Sequence, residues 1–258
     1  AQRAGMGRAL MESEPVFRDT LVKVDQALRP HLGWSVLDEI AAEESRSRLT
    51  EIDINQPVLF AVEVALTALW RSWGIEPDAV MGHSMGEVVA AHVAGALSLE
   101  DAVLIICHRS KLMRTLGGRG ATMAMVELSV EEAEAAISPW SGKLWLGGLN
   151  GPRSQVLSGD PEALKEAVAA LEQRGVFCRW VKMDVPSHTP LVGAISRELE
   201  GRIARIAPRS AQIPLCSTVT GEFLDGAKLD VAHWGNNLRE PVRFAAAVQR
   251  LLTSEHDT

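Results

Sequence analysis

Gly82-His83-Ser84-Met85-Gly86 sets one serine between two glycines, where a short apolar run gives way to an apolar helix. Upstream, Ala79-Val80-Met81 follows the turn-forming Gly74-Ile75-Glu76-Pro77-Asp78 and reads as a buried parallel strand. Downstream, Glu87 to Leu97 carries too few polar residues to face water, so it reads as a largely buried helix. Ser84 therefore stands where a strand stops and a helix starts, which is the setting of a nucleophile elbow. The first amides of a helix lack partners within it, and the partial positive charge there favours a developing oxyanion. The bland alternative is a chance match to a short pattern; the strand, turn and helix around it weigh against that.

Working outward, Pro57 to Trp73 is predicted as a helix with Pro57 in its first turn, and Leu99 to Leu116 as a helix that carries Arg109. A helix, the Ser84 strand and another helix imply an α/β, hydrolase-like core with a short parallel sheet. Gly5 to Leu28 shows helical periodicity ahead of it. The middle of the chain changes character. Ala121 to Leu128 reads as a strand, Val130 to Ile137 as a helix, and Lys143 to Leu149 and Ser154 to Ser158 as strands about the Asn150-Gly151-Pro152 turn. A helix from Pro161 to Arg174 and a strand from Val176 to Met183 follow. This β-α-β-β-α-β order is the ferredoxin-like signature. It places an inserted small subdomain at 120–183 and a large subdomain at 1–119 and 184–258, with a site expected in the cleft between them. Leu191 to Ile206 and Pro241 to Leu252 read as further helices and Gln212 to Ser217 as a buried strand.

Composition narrows the function classes. The net charge of −7 comes without basic runs or interleaved aromatics, so no nucleic-acid partner is indicated. Apolar stretches are broken by Glu63, Arg71 or His92 before they could cross a bilayer, and no secretory leader opens the chain, so no membrane partner is expected. Cys107, Cys178 and Cys216 are far apart, which suits reduced thiols in the cytoplasm and neither a disulfide framework nor a metal site. A chain that opens on Ala1 and is helix-like at once reads as a domain excised from a longer protein.

A serine hydroxyl needs a base. Of the histidines, His31, His233 and His256 lie in polar or terminal segments, and His83 and His92 flank the turn, where a neighbour of Ser84 points elsewhere. His188 stands in the proline-punctuated loop Asp184-Val185-Pro186-Ser187-His188-Thr189-Pro190, which leaves the last strand of the small lobe, and is the candidate base. Arg109 follows the apolar segment Ala102 to Cys107. A guanidinium there is costly to bury unless an anion meets it, and its planar fork suits a carboxylate; an ordinary salt bridge is the alternative.

Four stretches taken together resemble a known family: Gly82-His83-Ser84-Met85-Gly86-Glu87; His108-Arg109-Ser110 with Leu112-Met113; Ser187-His188; and Asn237-Leu238-Arg239-Glu240-Pro241-Val242-Arg243-Phe244. They look like the acyltransferase domain of type I polyketide synthases, modular or iterative, related to the malonyl-CoA:acyl carrier protein transacylases. The resemblance implies Ser84 as the acylated nucleophile, His188 as base, and Arg109 as the clamp on the free carboxylate of a malonyl-type acyl group. It implies an oxyanion hole from the Met85 amide and Gln2, a backbone carbonyl of Asn237 orienting the histidine, and a pocket bordered by His83, Asn150, Val185 and Ser187. No bound cofactor is implied. The acyl group would come from a CoA thioester and pass to the phosphopantetheine thiol of an acyl carrier protein, in a synthase that also holds a ketosynthase and linkers.

The extender unit stays open. Ser187 matches the residue found beside the base in methylmalonyl-selective members, whereas Met85 looks like the malonyl class. One methyl group is worth only about 1–3 kcal/mol in such a pocket. Arg153, Arg174, Arg179 and Lys182 are candidates for a carrier-docking patch, with scattered solvated charge as the alternative. Two rivals stand beside this reading. An α/β-hydrolase-type esterase or thioesterase would use Ser84, Asp160 or Asp184, and His188 in that chain order, but leaves Arg109 without a duty. A non-catalytic interaction domain would have no reason to keep serine, histidine and arginine at this spacing.

Overall fold

The computed structural model describes residues 3–118, 120 and 122–254. The chain divides into two units. The first comprises Ala1–Arg114, Arg202–Leu215 and Leu224–Asp230; the second comprises Thr115–Gly201, Cys216–Phe223 and Val231–Thr258. Residues 120–183 fall in the second unit together with 184–201 and most of the C-terminal stretch.

In the first unit the helices are α1 (Arg8–Ser13), α2 (Pro15–Leu32), α3 (Val36–Ala41), α4 (Ile52–Ser72), α5 (Gly86–Val93) and α6 (Leu99–Arg114), with strand β1 (Val80–Met81) ahead of α5. α2 buries Phe17, Leu21, Val24 and Leu28, spaced as one helical stripe, whereas α4 is buried around most of its circumference, through Ile54, Val58, Phe60, Ala61, Val64, Ala65 and Leu69. α4 is long and apolar enough to cross a bilayer by composition, and 67% of that stretch is buried inside the protein, which marks a core helix. It begins at Ile52, earlier than the predicted Pro57. The Asn55 side chain donates to Leu49 O at 2.9 Å and the Asn55 N–H to Glu51 O at 2.8 Å, holding the entry turn ahead of the proline. The predicted helix from Gly5 to Leu28 is two helices, parted at Glu14, whose extended backbone precedes Pro15. β1 is anchored by the Val80 N–H to Pro214 O, 2.9 Å.

The second unit contains β2 (Met123–Val126), α7 (Val130–Ile137), β3 (Leu144–Gly151), β4 (Ser154–Gly159), α8 (Pro161–Gln173), β5 (Cys178–Trp180) and α9 (Gly193–Arg202). β6 (Leu215–Ser217) and β7 (Glu222–Leu224) straddle the boundaries of the units, and α10 (Val231–Arg239) and α11 (Phe244–Thr253) close the chain. The β-α-β-β-α-β segment forms a four-stranded sheet in the order β3-β4-β2-β5, antiparallel throughout, with Met125 opposite both Val156 and Arg179. Ala124, Val126, Leu157, Leu164, Ala167 and Leu171 form its core with Ala133 and Ile137 of α7. Local chemistry marks each helix start: Ser129 and Glu132 close a capping box on α7, and Asp160 accepts from the Ala163 N–H ahead of Pro161 on α8. Gly148 and Val242 form an isolated parallel bridge in this unit.

Candidate active site

The turn that carries Ser84 is fixed by its backbone. Gly86 N–H donates to His83 O at 3.0 Å and Glu87 N–H to Ser84 O at 3.1 Å, which starts α5 directly on the turn. Ser84 has φ +54°, a left-handed conformation that side chains adopt only when the surroundings impose it. Gly82 explains how the chain turns so sharply: a Cβ on it would lie 2.1 Å from the Gly86 carbonyl carbon and 2.2 Å from the Glu87 nitrogen. Gly86 is different, since a Cβ there would meet nothing within 4 Å. Gly82→Ala is therefore expected to open the turn and to lower unfolding free energy by about 1–3 kcal/mol or more. Gly86→Ala should leave the urea midpoint near that of the parent. The two midpoints, measured side by side, separate close backbone approach from a general need for glycine. The Met85 N–H, next in line after Ser84, makes no hydrogen bond among the described residues.

Arg109 meets Ser84 in the same unit: its Nη2 donates to Ser84 Oγ at 2.8 Å. α6 buries Ala102 to Cys107 and carries this guanidinium, only 2% exposed, into the interior beside Glu87, which is 0% exposed. Burial pushes the Arg109 pKa down to about 10, with Glu87 working in the opposite direction, so the group keeps its charge at neutral pH. Nε and Nη1 are buried and have no hydrogen-bond partner. A buried cation with open donors can receive an anion; Nε and Nη1 lie on different sides of the guanidinium, so a carboxylate held bidentately pairs one of them with Nη2, the nitrogen now bound to Ser84.

His188 is built separately, in the second unit. With Ser84 it completes the set of non-glycine residues that have positive φ among the described residues, at +62°, and it is 4% exposed. Its N–H donates to Leu238 O at 3.0 Å, and its Nδ1 lies 2.9 Å from Glu240 O. A carbonyl can only accept, so Nδ1 carries the proton and Nε2 is left as the basic nitrogen. The orienting carbonyl belongs to Glu240, not to Asn237, where the sequence reading placed it. The reason is the pairing just beyond: Val242 N–H donates to Gly147 O at 3.0 Å and Leu149 N–H to Val242 O at 2.8 Å, which stitches the segment after α10 onto β3 and leaves Glu240 O at the imidazole. Asn237, buried on α10, lies a helical turn earlier. Gly147 lets the histidine loop approach β3, because a Cβ there would meet the Ser158 Cβ at 2.9 Å and the His188 Cβ at 3.6 Å. Ser158 Oγ donates to Ser187 O at 2.9 Å and ties the same loop down. His188 also lines a cavity of about 500 Å³ within this unit, together with Trp145, Leu146, Pro190, Glu240 and Pro241.

The carboxylates of the hydrolase reading have other duties. Asp160 caps α8, and Asp184 accepts from the Gly118 N–H at 2.7 Å. Of the pocket residues named from the sequence, Val185 and Ser187 are buried in the histidine loop, Asn150 is half-buried on β3, and His83 is exposed. Gln2 lies outside the described residues. Arg153 is paired with Glu132 at 2.9 Å, which removes it from a free basic patch. No cluster of three His, Cys, Asp or Glu side chains among the described residues is arranged to hold a metal ion. The sequence reading missed Glu240, because it acts through its backbone, and Glu87, because only packing shows that it faces Arg109.

A family model for the acyl transferase domain matches residues 1–258. Erythronolide synthase EryA2 of Saccharopolyspora erythraea is 44% identical over 257 residues, which is 100% of this chain and 7% of that protein. Spectinabilin polyketide synthase system protein NorC of Streptomyces orinoci is 45% identical over 99% of this chain and 11% of its own length, so the chain spans a small part of the curated relatives it matches. Among solved structures, the acyltransferase domain from module 8 of the salinomycin polyketide synthase superposes with TM-score 0.93 at 44% identity, covering 97% of this chain and 59% of that one. MCAT from Streptococcus pneumoniae superposes with TM-score 0.87 at 26% identity, covering 100% and 84%.

Proposed function

The chain belongs to the acyl transferase domain family, and from that premise we propose that it moves a dicarboxylic acyl group, malonyl or methylmalonyl, from CoA to the phosphopantetheine thiol of an acyl carrier protein. The observation that carries this reading is Arg109: buried, charged, bound through Nη2 to the Ser84 hydroxyl, and holding two further donors open. A neutral ester gives such a group nothing to do. A half-thioester of a diacid offers its carbonyl to Ser84 and its free carboxylate to the guanidinium beside it.

In the proposed cycle, Nε2 of His188 takes the Ser84 proton as Oγ attacks the thioester carbon. The oxyanion gathers the Met85 N–H at the start of α5, with Gln2 as the second donor expected from the family resemblance. Collapse expels the CoA thiolate, which receives the proton from His188, and leaves an acyl ester on Ser84. The carrier thiol then gives its proton to His188, attacks the ester and releases Ser84 in a ping-pong sequence. The carbonyl of Glu240 supports this role, because it fixes the tautomer as a carboxylate would while adding no buried negative charge. Residues 120–183 are read as the ferredoxin-like subdomain, supported by the β3-β4-β2-β5 order, and 1–119 with 184–258 as the hydrolase-like subdomain. The partners proposed are the carrier protein, a ketosynthase and linkers of one multidomain synthase, in the cytoplasm.

The test is a competition. Malonyl-CoA, methylmalonyl-CoA and acetyl-CoA are mixed with the protein, and the ester on Ser84 is read by intact-protein mass spectrometry before and after an acyl carrier protein is added. The reading expects a diacid adduct to form first and to move to the carrier. A dominant acetyl adduct, or an ester released to water with no carrier product, would contradict it.

A further inference from the structure

The four-stranded sheet ends on β5, whose far side has no neighbouring strand. Glu127 N–H donates to Phe177 O and Val181 N–H to Met123 O, both at 3.0 Å, so Phe177, Arg179 and Val181 turn their backbone groups towards β2. By the alternation of an antiparallel ladder, the N–H and C=O of Cys178 and Trp180 point outward, off the edge of the sheet. Such an edge is a template for another strand, and proteins guard it by keeping it short and charged. β5 is short, and Arg179 on it, Lys182 after it and Arg174 at the end of α8 before it are exposed and form no ion pair among the described residues. Glu127 on β2 and Glu172 near Cys178 are the acids beside them, so this edge is net positive in a chain of net charge −7. Charge alone would make it a guarded edge. Phe177 is 56% exposed and Trp180 42%, however, and that is apolar surface which a guarded edge does without.

We propose that the outer edge of β5 takes up an extended acidic segment of a partner polypeptide as a fifth strand. Backbone bonds to Cys178 and Trp180 supply the grip, and alternate side chains supply the selectivity. Cys178 packs against the helix-side core of the sheet, so Trp180 leaves on that face and Arg179 on the other. An added strand therefore sets an acidic residue beside Arg179 and apolar residues beside Cys178 and Trp180, with further acids at its ends facing Arg174 and Lys182. Charge is what names the occupant. A second copy of β5 would bring arginine and lysine against their like, which opposes pairing of two copies. No covalent step is involved, and the inference stands apart from the roles given to Ser84 and Arg109.

The probe is a short, end-capped, fluorescently labelled peptide that alternates glutamate and valine, with a lysine–valine peptide as its counterpart. Anisotropy should show the glutamate peptide binding and the lysine peptide not, with an affinity that falls as salt rises. Arg179→Glu combined with Lys182→Glu should weaken binding by about 10-fold or more. The backbone contribution is read at residue 180, whose N–H takes no part in the pairing with β2. Trp180→Pro removes that donor and Trp180→Val keeps it, both with the ladder to β2 intact. The proline variant should bind about 3- to 10-fold more weakly than the valine one, the scale of one hydrogen bond. Urea midpoints are the folding control. If the proline variant does not fold, amide exchange in the parent decides: the Cys178 and Trp180 N–H groups should become protected when the peptide is bound. Equal binding of the two peptides, or no binding of the glutamate peptide, overturns the proposal. So does equal affinity in the proline and valine variants, or unprotected amides, because the contact would then be made by side chains alone. An acidic carrier protein is run alongside. Carrier binding that Arg179→Glu weakens, with no binding of the peptide, would make the edge a docking face for a folded domain and would overturn strand addition.

Discussion

Arg109→Ala lowers kcat/KM for malonyl-CoA by about 100- to 1,000-fold and leaves transfer of acetyl or propionyl groups intact or improved. The magnitude follows from removing one partner of a buried, hydrogen-bonded charge pair, which costs about 2–5 kcal/mol. The direction for monoacids follows from burial. The guanidinium lies inside the protein with two donors unmet, and a monoacid does nothing to satisfy them. Because the Arg109 pKa is about 10, the diacid preference of the parent should be flat across neutral pH and decline only as the pH passes that value, where the cation is lost. The sign for stability is the opposite of an ordinary salt bridge. Folding depresses the pKa, so the unfolded chain holds this proton more tightly, and the buried charge opposes folding at neutral pH. The measurement is a pair of saturation curves, one per thioester, for parent and variant. Parallel loss for both acyl groups would show that Arg109 supports the turn and does not grip a carboxylate.

Ser84→Ala abolishes the covalent adduct and lowers transfer by a factor on the order of 10⁶, the scale seen when the nucleophile of a serine protease is removed. The left-handed backbone at Ser84 lends weight to this expectation, since strain is retained where a side chain must be presented in one direction. Alanine removes only Oγ and with it the contact to Arg109 Nη2. The turn itself is set by Gly82 and by the Gly86 and Glu87 N–H bonds, which the variant keeps, so it should fold. Intact-mass measurement after incubation with malonyl-CoA gives a present-or-absent answer. A persisting adduct would move the nucleophile elsewhere. Cys107 is a poor substitute, as burial raises its thiol pKa to about 12.

Local sequence rules set much of the segment from β2 to β5. Ser129 with Glu132, and Asp160 with Pro161, announce where α7 and α8 begin. The serine turn was legible for the same reason: a glycine on each side and an apolar run on each flank are short-range signals. Helix boundaries were less so. α4 starts ahead of Pro57 because contacts from Asn55 and Glu51 outweigh the preference of proline for a first turn.

What the sequence determined by itself is the set of groups: a serine on a sharp turn, an arginine in an apolar helix, and a histidine in a proline-bracketed loop, each identified by its immediate neighbours. What only the tertiary structure decided is how those groups are engaged. The Nη2 contact to Ser84, the open Nε and Nη1, and the Glu240 carbonyl at His188 all join residues far apart in the chain. Spacing along a sequence encodes contacts within a helical turn or a hairpin. A hydrogen bond between distant segments depends on which helix faces pack together, and a backbone carbonyl carries no side-chain identity for a sequence to display.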